Sequence, residues 1–222
     1  MSLRRGMIIA IDGPAAAGKG TLARRLAAHF GLAYLDTGKL YRAVALRVLR
    51  AGGDPADPAA AAAAARSLAP ADLESPDLRD EKVGQAASVV AAQPDVRAAL
   101  LDFQRNFARH PPLGTNGAVL DGRDIGTVIC PEPDVIKLFV HASVEKRAER
   151  RFKELRERGE NAIFSNVLRD MKERDARDSG RGIAALKKAP DAFDLDTSEL
   201  DADQVFAQAL SFIQSRDRSE RS

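Results

Sequence analysis

Residues 13–21 read GPAAAGKGT, set between an apolar, β-branched run, MIIAI (7–11), and the segment TLARRLAAHF. In that segment Leu22, Leu26 and Phe30 recur at helical spacing, and Gly31 follows as a stop signal. A buried strand, a Gly-rich turn and a helix in that order form one β–loop–α unit, and such units build parallel sheets. Four more strands are expected, in LAYLD, GAVLD, VIKLFV and AFDLDTS. Helices are expected in TGKLYRAVALRVLR, closed by Gly52 and Gly53, and in a pair across 81–109 broken near Pro94. A further helix, SVEKRAERRFKELRERG, has Ser143 as its cap and Val144, Ala148, Phe152 and Leu155 as its apolar stripe. Another, about 162–179, is expected to bury Phe164, Val167, Leu168 and Met171, and DADQVFAQALSFI closes the chain. The expected fold class is therefore α/β, with a parallel five-stranded sheet and helices on both faces. In such sheets ligands gather beyond the carboxyl ends of the strands. Asp12 to Gly20, Asp36 to Gly38 and Asp121 to Asp124 all fall there.

At 222 residues a single domain over 1–222 is expected, with its core in 7–53 and 110–222. Residues 54–80 are rich in Pro, Ala and Asp and read as an irregular connector, with the alanine tract 59–65 as a short surface helix.

The loop carries the first chemical signal. Its glycines let the backbone wrap closely, its N–H groups and the helix N-terminus favour an anion, and Lys19 is placed to bridge the outer phosphates of a nucleotide triphosphate. The general phosphate-loop spacing G-x-x-x-x-G-K-[ST] wants a hydroxyl directly after the lysine; here Gly20 stands there and the hydroxyl comes at Thr21. The second signal is LDGRDIGT, whose Asp121, Arg123 and Asp124 follow a strand; it reads as a phosphate-binding guanidinium between acids or as a solvated turn of internal ion pairs. The third is the end of the 162–179 helix, where the apolar stripe runs on into Arg174, Arg177 and Asp178, with Arg181 beyond. That face enters a polar cleft, or it is solvated and held by an Arg174–Asp178 pair. Arg147 and Arg151, four apart, mark either a solvated face or a phosphate-clamping lid.

Composition removes other classes. The net charge of +2 gives no bulk signal for nucleic acid or anionic membrane, although arginines are dense from 147 to 181. Aromatic residues are 5% and Trp is absent, so a groove of stacking rings for single strands is not expected. One cysteine, Cys130, and scattered His29, His110 and His141 supply neither a disulfide nor metal-ligand spacing, so no side-chain metal centre is expected and a cytoplasmic home is. The leading MSLRRGMIIAIDG has too short an apolar run for a signal peptide, and no segment approaches a membrane span.

Taken together, GPAAAGKGT, LDTGKLYR, LDGRDIGTV and KERDARDSGR resemble, in order, the four motifs of the bacterial-type cytidylate kinases, a nucleoside monophosphate kinase family. The resemblance runs from about Met7 to the C-terminus, and in that family a glycine after the lysine is normal. It implies a P-loop NTPase-type fold that phosphorylates CMP and dCMP from ATP with Mg²⁺; a monomer is expected. Gly13, Pro14, Ala15, Ala16, Ala17, Gly18, Lys19, Gly20 and Thr21 would hold ATP, with Arg147 and Arg151 in a short lid over about 147–165. Thr37 would face the acceptor, Arg42 its phosphate, and Ser88, Arg97 and Asp124 its cytosine edge. Arg123 and Arg174 would clamp the acceptor phosphate, Asp178 would reach the sugar and Arg181 the phosphates, Asp121 would join the substrate-binding set, and Lys19, Arg123, Arg174 and Arg181 would be the catalytic set. The sequence departs from the family in the acceptor-binding insert, about 54–109, where residues 66–80 are too short and Pro-rich for the small β-sheet found there. Rival expectations are another small kinase, acting on UMP, AMP or shikimate, and a non-catalytic nucleotide-binding protein.

Overall fold

The structure is a computed structural model and describes residues 6–180, 182 and 185–219. In chain order the elements are β1 (Met7–Asp12), α1 (Lys19–Phe30), β2 (Ala33–Asp36), α2 (Thr37–Arg50), α3 (Pro58–Arg66), α4 (Glu81–Val90), α5 (Pro94–Arg109), β3 (Gly117–Gly122), β4 (Ile136–His141), α6 (Val144–Glu157), α7 (Phe164–Ser179), β5 (Phe193–Asp196) and α8 (Ala202–Ser219). Two 3₁₀ turns, Pro70–Glu74 and Pro76–Arg79, and one π turn, Ile125–Ile129, complete them. The sheet has the expected five strands, in the order β2-β3-β1-β4-β5. β1 pairs in parallel with β3 and with β4, and β4 with β5.

The described chain divides into two compact units: residues up to Leu35 with those from Ala108 onward, and Asp36–Phe107. In the first, the strands turn Ile9, Ile11, Val119, Leu138, Val140 and Leu195 to one face. There Leu22, Leu26 and Phe30 of α1 and Val205, Ala209 and Ile213 of α8 join them in a single core. Alternate residues Ala10, Ala118 and Leu120 are equally buried, so the sheet is covered on both faces.

The second unit is helical. Leu40, Val44 and Val48 of α2 pack with Ala86, Ala87 and Val90 of α4, with Val96 and Leu100 of α5, and with α3. It is larger than the insert expected at 54–109, because α2 packs there. The alanine tract is a helix, capped by Asp57, but not a wholly surface one: Ala61, Ala62 and Ala65 are buried, since a small side chain at every position lets α3 lie close on its neighbours. Residues 66–80 include the two 3₁₀ turns and no strand. Among the described residues no helix is long and apolar enough to cross a membrane.

Candidate active site

The loop after β1 is shaped by backbone constraints that can be named one by one. Gly13 has φ 151, and a Cβ there would lie 1.9 Å from the carbonyl oxygen of Val140, so β4 passes too close for any side chain. Gly18 caps α1 at φ 92 with no side-chain hydrogen bond, and the first turn of α1 holds no acidic residue. By contrast α2, α3, α4 and α6 are capped by Asp36, Asp57, Asp80 and Ser143. A 12-residue helix whose leading N–H groups have neither cap nor carboxylate is a site for an external anion. The loop carbonyls, meanwhile, are satisfied from within. Pro14 accepts from Lys19 Nζ at 2.8 Å, Ala15 from Arg147 Nη1 at 3.4 Å, and Ala17 from Thr197 Oγ1 at 3.2 Å. Ala16 is the one non-glycine residue at positive φ (57°) among the described residues, a mild strain of the kind found at ligand loops. These residues fit a polyphosphate. Thr21, the displaced hydroxyl, is exposed.

β3 delivers the DGRD cluster beside that loop: Ile11 is in register with Asp121, and Asp12 with Gly122. The hydroxyl of Tyr34 donates to Asp121 Oδ2 at 3.1 Å. Arg123 Nε donates to Asp178 Oδ2 at 2.7 Å, with the acid 1% and the base 17% exposed. Burial works against the charge on Arg123, but Asp178, with Asp121 and Asp12 beyond it, outweighs burial and holds the guanidinium pKa above its ordinary value. Asp124 is buried at the head of the π turn. The described residues bring together no group of three or more His, Cys, Asp or Glu side chains able to hold a metal.

Asp12 anchors that turn. Its carboxylate accepts from the N–H groups of Ile125 and Gly126, each at 2.7 Å. Burial, with some help from Asp124, pushes its pKa from an ordinary 3.8 up to about 6 against those two hydrogen bonds and Lys19. A folded-state pKa above the unfolded one contributes stability that is complete below pH 3.8 and lost as pH rises through about 6. Measured by urea unfolding, the stability of the unaltered protein relative to Asp12→Asn is expected to fall by about 2 kcal/mol between about pH 4 and about pH 7. A difference independent of pH would contradict the assignment.

α7 carries Met171, buried, Arg174, half-buried, and Asp178, buried, along one face. The expected stripe does not reach its beginning: Phe164 is 38% exposed, with a T-shaped contact to Phe152, because it opens the helix where the chain leaves α6. Arg147 is not on a solvated face. It is buried, donates to the carbonyl of Ala142 at 3.0 Å, and forks onto Asp175 of α7 at 3.1 and 2.6 Å. Arg151 pairs with Glu154 at 2.7 Å. Arg181 lies outside the described residues.

The other four expected residues belong to the second unit. Thr37 is buried at the start of α2, and Ser88 is buried on α4. Arg42 donates to the carbonyl of Leu78 at 2.8 Å, and its guanidinium lies against Gly84, one turn before Ser88. The Arg97 guanidinium lies over the Tyr41 ring at 5.5 Å and donates to the carbonyl of Ala91 at 3.3 Å. Arg42 of α2, Ser88 of α4 and Arg97 of α5 thus belong to one helical unit.

Sequence reasoning assigned nothing to Asp12, Tyr34, Asp175 or Thr197. Asp12 had a visible signal, a carboxylate at the end of an apolar strand. The other three act through partners at 87, 28 and 180 residues' separation, beyond any local pattern.

The match to known proteins covers nearly the whole of this architecture. The chain is 66% identical over 209 residues to a cytidylate kinase of Paramagnetospirillum magneticum, covering 94% of this chain and 98% of that one. It is 62% identical over 207 residues to a cytidylate kinase of Rhodospirillum rubrum, covering 93% and 97%. A solved structure of an uncharacterized protein from Eubacterium ventriosum shares the fold, with a TM-score of 0.56 at 16% identity over 94% of this chain and 99% of that one. The cytidylate kinase family model matches residues 9–215, from inside β1 to inside α8, and so takes in the braced loop, the DGRD turn, α7 and the helical unit alike; the chain belongs to the cytidylate kinase family.

Proposed function

We propose that this chain transfers the γ-phosphoryl group of ATP to the 5′-phosphate of CMP or dCMP, releasing ADP and CDP or dCDP. The observation that carries the reading is the loop itself. Three of its carbonyls accept from Lys19, Arg147 and Thr197, and α1 has no side-chain cap and no acidic residue in its first turn, a helix N-terminus suited to a polyphosphate. Family membership supplies the acceptor.

The attacking phosphate oxygen is already anionic, so alignment and charge neutralisation do the catalysis and little is asked of a general base. Lys19 exchanges Pro14 for the outer phosphates of ATP. Arg123, Arg174 and Arg181 neutralise the acceptor phosphate and the group in flight, and Asp178 keeps Arg123 charged and aimed. Thr37 and Arg42 hold the acceptor, and Ser88, Arg97 and Asp124 read its base. Mg²⁺, when bound, adds charge neutralisation at the phosphate oxygens. Arg147 braces the loop from beneath while Arg151, further along α6, serves the lid over about 147–165 that excludes water. The accompanying reading is a cytoplasmic monomer: the only cysteine is buried, and every substrate-facing residue is assigned within this one chain.

Gly84→Ala separates acceptor binding from folding. A Cβ at Gly84 would stand 2.9 Å from Arg42 Nη2, and the far end of a long side chain yields before the backbone does. We expect the KM for CMP to rise about tenfold or more, with the KM for ATP unchanged. Thermal unfolding should move by no more than about 2–4 °C. Equal shifts in both KM values would remove Arg42 from the acceptor site. The reading as a whole is tested by ADP formation that depends on the acceptor.

A further inference from the structure

Position 20 is where the general phosphate-loop motif places a hydroxyl, paired with the aspartate at the end of a neighbouring strand around the nucleotide's Mg²⁺. This chain has Gly20 there, and Thr21 is exposed. Position 20 nevertheless faces a strand-end aspartate: a Cβ on Gly20 would stand 3.4 Å from Asp121 Oδ2. The same Cβ would lie 3.6 Å from the hydroxyl of Tyr34, which donates to that very carboxylate oxygen at 3.1 Å. Tyr34 belongs to β2, the neighbour of β3, and its ring packs against the core formed by the sheet, α1 and α8, so its hydroxyl is held on a rigid arm.

We infer that Tyr34 is a positioning residue that supplies, from the adjacent strand, the hydroxyl missing at position 20, and so orients Asp121 toward the metal of Mg·nucleotide. A glycine after the lysine is then compensated rather than defective. The hydroxyl is relocated onto β2, and Gly20 leaves room for it beside Asp121 and Arg24. The inference rests on the reading that the Gly13–Thr21 loop binds Mg·ATP.

The test is a double-mutant cycle in Mg·ADP affinity, by calorimetry with and without Mg²⁺. Tyr34→Phe keeps the ring and its packing and removes only the donor. It should weaken Mg·ADP binding several-fold while leaving metal-free ADP binding unchanged. Adding Gly20→Ser, whose Cβ stands 3.4 Å from Asp121 Oδ2, should restore Mg·ADP affinity in the Tyr34→Phe background relative to Tyr34→Phe alone. Unchanged Mg·ADP affinity in Tyr34→Phe overturns the inference, and so does an equal loss with and without metal, which would mark Tyr34 as packing only. A loss that Gly20→Ser does not repair also overturns it. If the unaltered protein binds no nucleotide, the reading of the loop itself fails, a result distinct from all three.

Discussion

Lys19→Ala should lower kcat/KM for Mg·ATP by about a thousandfold or more, because in the proposed mechanism it removes the loop's side-chain cation at the outer phosphates. Its structural cost is small by comparison. In the folded protein the ammonium is buried and donates to the carbonyl of Pro14 at 2.8 Å, a bond whose loss costs about 1 kcal/mol. A shift of about 2–4 °C in the melting temperature is expected for a chain of this length. The informative comparison is kcat against KM. If Lys19 acts chiefly on the group in flight, kcat falls with KM for ATP little changed; if it acts as a ground-state anchor, KM rises and kcat holds. Near-normal values of both would remove Lys19 from the mechanism.

Gly13→Ala should produce the largest loss of stability among single substitutions at the loop. The new methyl would stand 1.9 Å from the carbonyl oxygen of Val140 and 2.9 Å from its carbon, and the backbone at φ 151 is one that L residues rarely adopt. Both are main-chain atoms of β4, which is paired in parallel with β1, so neither can swing away. The expected loss is at least about 3 kcal/mol, and about 10 °C in melting temperature. Gly20→Ala is the control in the same loop. It lies within α1, and its Cβ would meet Asp121, Arg24 and Tyr34 no closer than 3.4 Å, so stability should be nearly unchanged. Equal losses in the two would show that close approach to β4 is not what requires glycine at position 13.

The parts of this molecule that were legible in its sequence are those governed by local pattern. Buried parallel strands must be short apolar runs, so MIIAI and GAVLD announced β1 and β3. The helix begun by Ser143 and the break at Pro94 were equally plain, because a cap and a missing N–H act within a few residues. The loop was legible because its function needs glycines at fixed spacing. What escaped depends on contacts through space. Helical spacing put Arg147 and Arg151 on the same side of α6, but could not say that Arg147 turns inward to Asp175 and Ala15. It gave Phe164 a place on an apolar stripe without revealing that little packs against that turn. α2 reads as a core helix because it follows a strand, yet its apolar face belongs to α4. Asp12 and Tyr34 look like an ordinary strand end and an ordinary strand aromatic until their partners, Gly126 and Asp121, are placed beside them.

Acceptor-dependent ADP formation from Mg·ATP, measured in parallel with CMP, dCMP, UMP, AMP, dTMP and no acceptor, tests phosphoryl transfer to CMP and dCMP most directly. Turnover confined mainly to CMP and dCMP, with negligible hydrolysis in their absence, is the predicted result. Turnover led by another acceptor would keep the phosphate loop and discard the roles given to Ser88, Arg97 and Asp124. ATP binding with no turnover on any acceptor would contradict the central claim.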